Sequence, residues 1–142
     1  MFSDEEREFI EQHRVARLAT ADADGRPHVV PIVYALLDDH LYFVIDEKPK
    51  KSRRNLKRLR NIAANPQVAI IIDRYEEDWS RLGYLLVQGR ADEVGDADLY
   101  QRALERLRQR YPQYRSMSLQ MDRNPMIRIA PIAKHFWVAS AG

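Results

Sequence analysis

The segment from Val15 to Ile45 constrains the fold most tightly. Three apolar, β-branched runs, Val15 to Thr20, Pro27 to Leu37 and Leu41 to Ile45, are separated only by the turn signals Asp22-Ala23-Asp24-Gly25 and Asp38-Asp39. Connections this short leave no room for a crossover helix, so the runs are expected as antiparallel strands in a meander, the front half of a barrel. Further along, Val68 to Asp73 is a continuous Val/Ala/Ile run, expected as a strand covered on both faces. Tyr84 to Val94 is a further strand in which Gly89 marks a bend or a close approach, and Met126 to Ala139 is apolar β structure in which Pro131 points to an edge position or a bulge.

Three helices accompany these strands. Ser3-Asp4-Glu5-Glu6 is a capping box, starting a helix to about His13 with Phe9 and Ile10 facing inward. In Lys50 to Ala64 the residues Leu56, Leu59, Ile62 and Ala63 share one helical face, and Asn65-Pro66 ends it. Asp96 caps a last helix carrying Leu99, Ala103 and Leu107, which stops at Tyr111-Pro112. Gln113 to Asn124 shows little periodicity. The sum is an α+β barrel of about six strands in meander order, a single domain over residues 1–142.

Composition narrows the chemistry. The chain has no cysteine, which excludes disulfides, thiolate metal sites and a cysteine nucleophile, so any redox chemistry belongs to a cofactor. No apolar run reaches the roughly 18 residues of a membrane span, and the acidic stretch Met1 to Gln12 does not read as a signal peptide, so a cytoplasmic protein without membrane attachment is expected. His13, His28, His40 and His135 show no metal-ligand spacing, and no serine has an evident catalytic partner. No metal is therefore expected, and no catalytic residue is assigned.

The formal charge of +2 does not by itself argue for a nucleic-acid partner, but the cations cluster. Lys48, Lys50, Lys51, Arg53, Arg54, Lys57, Arg58 and Arg60 occur without an intervening acid. A helix start that follows a strand offers free amides and a positive dipole end, and such side chains then hold a phosphate by charge-assisted bonds. A solvated surface helix is the plain alternative. A nucleic-acid interface is a further one, disfavoured because no aromatics interleave the run.

The order Gly25-Arg26-Pro27-His28-Val29-Val30-Pro31, a strand ending near Asp46, and a basic helix closed by Asn61-Ile62-Ala63-Ala64-Asn65-Pro66-Gln67-Val68-Ala69 resembles the pyridoxamine-phosphate-oxidase superfamily over most of the chain. Ile45-Asp46-Glu47-Lys48-Pro49-Lys50, Leu56-Lys57-Arg58-Leu59-Arg60-Asn61-Ile62 and Asp73-Arg74-Tyr75-Glu76-Glu77-Asp78-Trp79 resemble its subgroup thought to use the deazaflavin coenzyme F420. The resemblance implies a six-stranded antiparallel split β-barrel with about three flanking helices, a homodimer, and an FMN or F420 cofactor in clefts built from both subunits. It places the strand His28 to Val33 beside the ring, with Val30, Pro31 and Ile32 in contact and Ile45 and Asp46 ending the next strand nearby. The phosphate falls to the basic residue eight positions before the proline of Asn65-Pro66, which is Arg58, with its neighbour Lys57 and with Lys50 and Lys51 in reserve. Relatives commonly carry lysine where this chain has Arg58. Trp79 is expected to cover the cofactor or to plug a barrel end or dimer seam, and Arg128, alternating with Ile127 and Ile129, to reach a substrate carboxylate or phosphate. His28 and Tyr34 are candidate proton donors or structural residues.

The expected function is an oxidoreductase passing a hydride between F420 or FMN and a small unsaturated molecule. A non-catalytic carrier or sensor of the same ring is the nearest rival. An oxidase in the strict sense is disfavoured, because the chain is short and lacks a recognisable substrate-binding C-terminal pattern.

Overall fold

A computed structural model of the chain describes residues 1–46 and 56–140. The expected helix from Lys50 is described from Lys57 onward, and Lys48 to Arg54 lie outside the described residues.

Helix α1 (Asp4–Gln12) starts on the capping box. The Glu6 amide donates to the Ser3 hydroxyl, the Ser3 amide donates to the Glu6 carboxylate, and Phe9 and Ile10 are buried. Strand β1 (Val15–Ala21) then pairs antiparallel with β2 (Pro27–Val33). In the turn between them the Asp22 carboxylate accepts from the amides of Asp24 and Arg26, each at 2.9 Å, and Gly25 takes the positive φ of 83° that the reversal requires.

The run from Pro27 to Leu37 is two strands, not one. It breaks at Tyr34, beyond which β3 (Ala35–Leu37) begins. Tyr34 is fully buried, its backbone N–H donates to the Tyr111 hydroxyl, and that hydroxyl donates to the Tyr34 carbonyl. A side chain thus takes the bonds that a neighbouring strand would have made. Strand β3 reverses into β4 (His40–Val44) through Asp38 and Asp39, both at positive φ (50° and 62°), as a two-residue hairpin of type I′ requires. These aspartates are held by Arg102, by Arg7 and by the N-terminal amine.

Strands β5 (Gln67–Arg74), β6 (Gly83–Glu93) and β7 (Met126–Val138) complete a seven-stranded sheet of order β2-β1-β5-β6-β7-β4-β3. This corrects both the count of six and the meander order. The first three runs do not lie side by side, because β4 leaves β2 and pairs with β7 through Leu41 to Val44. The outermost strands, β2 and β3, are consecutive in the chain, so the curled sheet meets itself at Tyr34. The barrel is closed there by the backbone and split between strands.

Pro131 does mark a bulge. Gln88 faces Ala133 and Gly89 faces Pro131, which leaves Ile132 unopposed. A Cβ on Gly89 would stand 2.6 Å from the Ala130 carbonyl oxygen, so the close approach expected there is real.

Helix α2 (Lys57–Ala64) packs Leu59 and Ile62 into the barrel core, and its buried Asn61 donates to the Thr20 hydroxyl at 3.0 Å. Helix α3 (Ala97–Arg110) is capped by Asp96 and covers β3 and β4 with Tyr100, Leu104 and Leu107. A 3-10 turn, Pro112–Ser116, follows. The expectation that β5 is covered on both faces fails. Val68, Ile70 and Ile72 are buried, but Ala69 and Ile71 face outward and are only partly covered. In register with Ile71 are Arg17 and Leu86, and the same outer face carries Val29, 60% exposed, and Trp137.

Candidate functional site

The C-terminal ends of β2 and β4 meet the first turn of α2 and the 3-10 turn around a cavity of about 330 Å³. Its apolar walls are Val15, Pro31, Ile32, Val33, Phe43 and Val44, and its polar groups are Asp46, Arg58 and Tyr114. The end of β4 is pinned from below. The Ile45 amide donates to the Pro125 carbonyl at 2.9 Å and the Ile45 carbonyl accepts from the buried Asn124 side chain at 2.9 Å. Asp46 is thereby delivered to the cavity, where its carboxylate accepts from the Tyr114 hydroxyl at 2.7 Å. Arg58 arrives from the first turn of α2, whose N-cap, Leu56, supplies no side-chain bond and whose dipole is positive at that end. An apolar slot with one forked cation and one oriented carboxylate suits a flat molecule carrying an oxyanion group.

Of the residues expected at the site, Pro31, Ile32, Asp46 and Arg58 line this cavity. Others are placed elsewhere. His28 lies at the far end of β2, opposite Thr20, with its Nδ1 buried and unpartnered among the described residues. Val30 packs on the barrel core, and the side chain of Ile45 is fully buried in it. Lys57 turns from its neighbour toward Asp22, with Nζ 3.8 Å from the carboxylate. Lys50 and Lys51 lie outside the described residues.

Trp79 neither covers the cavity nor plugs the barrel. It sits 67% exposed at the tip of the β5–β6 hairpin, with its indole N–H directed at the Tyr75 hydroxyl. Arg128 does not reach into the cavity either, because its guanidinium binds both oxygens of Asp92 across the β6–β7 ladder at 3.2 and 2.9 Å. Tyr34 is structural. Its hydroxyl donates to the carbonyls of Ile10 and His13, and burial pushes its phenol well above the usual range.

Tyr114 is the site residue that the sequence did not announce. It comes from the stretch without periodicity, and its partner Asp46 is remote in the chain. A larger groove of about 600 Å³ runs over the outer sheet face past Thr20, Gly89 and Ile132, but it lacks a facing pair of opposite charges.

Solved structures share this architecture. The heme storage protein HutZ of Vibrio cholerae is 23% identical, with 94% of this chain and 92% of that one covered at a TM-score of 0.75. An FAD-binding protein of Mesorhizobium loti is 25% identical, with 95% and 94% covered at 0.70. A conserved hypothetical protein of Mycobacterium tuberculosis is 20% identical, with 97% and 86% covered at 0.77. Among curated proteins none matches. The family model described as pyridoxamine 5'-phosphate oxidase matches residues 2–133, nearly all of the split barrel, and the chain belongs to that family.

Proposed function

We propose that the chain is an oxidoreductase that holds FMN or coenzyme F420 in the cavity between β2, β4 and α2 and works as a homodimer. What supports the reading is that Pro31, Ile32, Asp46 and Arg58, brought together from three separate elements, line one cavity. Arg58 grips the phosphate with its fork, aided by the positive end of α2. Pro31 to Val33 and Val44 exclude water from the ring face. Tyr114 keeps the Asp46 carboxylate turned to the cavity, where it accepts a ring N–H. Bound in its reduced form, the ring would supply the hydride for an electron-poor double bond of a small substrate and would itself be oxidised.

A volume of about 330 Å³ is near the lower end of the roughly 300–1,000 Å³ usual for ligand pockets, so the site takes part of such a molecule and needs a further wall. The outer sheet face with Val29, Ile71, Leu86 and Trp137 is the surface on which a second copy would supply it. Heme is the other flat ring to test, since HutZ stores it on the same fold.

The deciding experiment titrates the purified protein with FMN, F420 and hemin in parallel. The reduced form of whichever flavin or deazaflavin binds is then offered enones and quinones. Binding of FMN or F420 followed by reoxidation is expected. Binding without turnover makes the protein a carrier or sensor, preference for hemin makes it a heme binder, and no binding of any ring overturns the reading.

A further inference from the structure

A second cavity, of about 530 Å³, lies between α1, α3 and the free edge of β3, and the cofactor reading leaves it unused. Arg7, Arg14, Arg106 and Arg110 converge there with a single carboxylate, Glu11. Helical spacing explains the convergence, since Arg7 and Glu11 stand four apart on α1 with Arg14 just beyond its end, and Arg106 and Arg110 stand four apart on α3.

The guanidinium groups fall into two classes, two paired with carboxylates and two not. Arg110 is nearly enclosed and clamps the end of α1, donating to the carbonyls of Ile10, Glu11 and His13 at 2.9, 3.0 and 2.7 Å and to the Glu11 carboxylate at 3.1 Å. Arg7 is paired with Asp39. Arg14 donates to the Arg110 carbonyl, and Arg106 donates through Nε to the Leu36 carbonyl at 3.2 Å. Neither Arg14 nor Arg106 has a carboxylate partner among the described residues, and their remaining N–H groups are unbonded there. Two uncompensated positive charges, carried by different elements, therefore line one cavity.

We propose that this cavity binds the phosphoryl dianion of a small molecule, clamped between Arg14 and Arg106. Two free cations match two negative charges. A tetrahedral phosphoryl group accepts forks from two directions at once, whereas a planar carboxylate brings one charge and faces one fork. This is a different anion site from the one at Arg58. Tyr34 and Tyr111, bonded to each other through the Tyr34 backbone, stand between the two cavities, with Val33 on one side and Ala35 on the other.

The test follows the arginine Nε–Hε resonances of the ¹⁵N-labelled protein during titration with inorganic phosphate and then pyrophosphate, at constant ionic strength set with sodium chloride. Saturable shifts at Arg14 and Arg106 are expected. Arg14→Gln and Arg106→Gln should each weaken binding about tenfold or more, the loss of one charge-assisted contact. Arg102→Gln, on the same helix as Arg106 but outside the cavity, where the parent side chain pairs with Asp38 of the β3–β4 turn, should bind like the parent protein. Shifts that do not saturate, that chloride reproduces, or that Arg102→Gln diminishes equally would overturn the proposal, and so would unchanged affinity in both cavity variants. FMN titration of the same variants separates the two readings. Unaltered FMN affinity is expected, and a parallel loss would mean that the cavities are not distinct.

Discussion

Arg58 and Lys57 are neighbours in sequence with different partners in space, and the proposed site turns on that difference. Arg58→Ala should weaken FMN or F420 binding about 10- to 100-fold, the loss of a charged hydrogen bond of roughly 1.5–3 kcal/mol. Lys57→Ala, which removes a side chain directed at Asp22, should change it far less, and fluorescence titration compares the two. Asn61 belongs to the fold rather than to the site. It is 1% exposed, and Asn61→Ala would strand the buried Thr20 hydroxyl at a cost of about 1–3 kcal/mol in urea unfolding, whereas Thr20→Val with Asn61→Leu should be nearly neutral. Arg58 and Asp46, which line the candidate cavity, were legible through the family resemblance, by counting back from Asn65-Pro66 and by the strand ending near Asp46. Arg128 was legible only as to its face. Alternation says which way a strand residue points, but not that Asp92 waits opposite it. Tyr114 left no trace at all, since nothing local records a partner 68 residues away.

Elements are legible in the sequence wherever a local chemical rule defines them. The capping box at Ser3, the Asp96 cap and the reversal at Asp38-Asp39 are each complete within a few residues. The break at Tyr34 was not, because its cause is Tyr111 on a distant segment. Gly89 is the element-scale test. Gly89→Ala must displace the Ala130 carbonyl and should lower stability by about 1–3 kcal/mol in thermal melts, while Gly95→Ala, with open space around it, should not. The start of α1 carries a pH signature. Burial pushes the Glu6 carboxyl up, but hydrogen bonds from Lys134 and Ser3 outweigh it, leaving the group below its ordinary value of 4.5. Such a group adds stability above its unfolded pKa and loses it as pH falls through the lowered folded value. Glu6→Gln should therefore be less stable than the parent at neutral pH, and the gap should narrow as pH falls from the ordinary value of 4.5 through the lowered folded one when unfolding is followed against pH.

For the whole molecule, the α+β barrel with three helices was legible and the strand order was not. Pairing of β1 with β5 and of β4 with β7 is a choice among partners that alternate in the same way, and apolar pattern alone does not make it. The outer face is the matching test of assembly. Leu86→Glu places a charge at the centre of the surface proposed for the second copy, and light scattering should show a folded monomer in place of a dimer.

The order of the sheet also bears on how the molecule comes together. Three hairpins, β1–β2, β3–β4 and β5–β6, form from neighbouring residues and are fast, whereas joining β4 to β7 closes a loop spanning most of the chain and is slow. The cavity with Arg58 takes its walls from both sides of that closure. On the proposed function, a ring held there would bind only the finished barrel, and at a hundred times its dissociation constant it would deepen the folded state by about 2.7 kcal/mol. The closure of the sheet would then be coupled to the supply of cofactor.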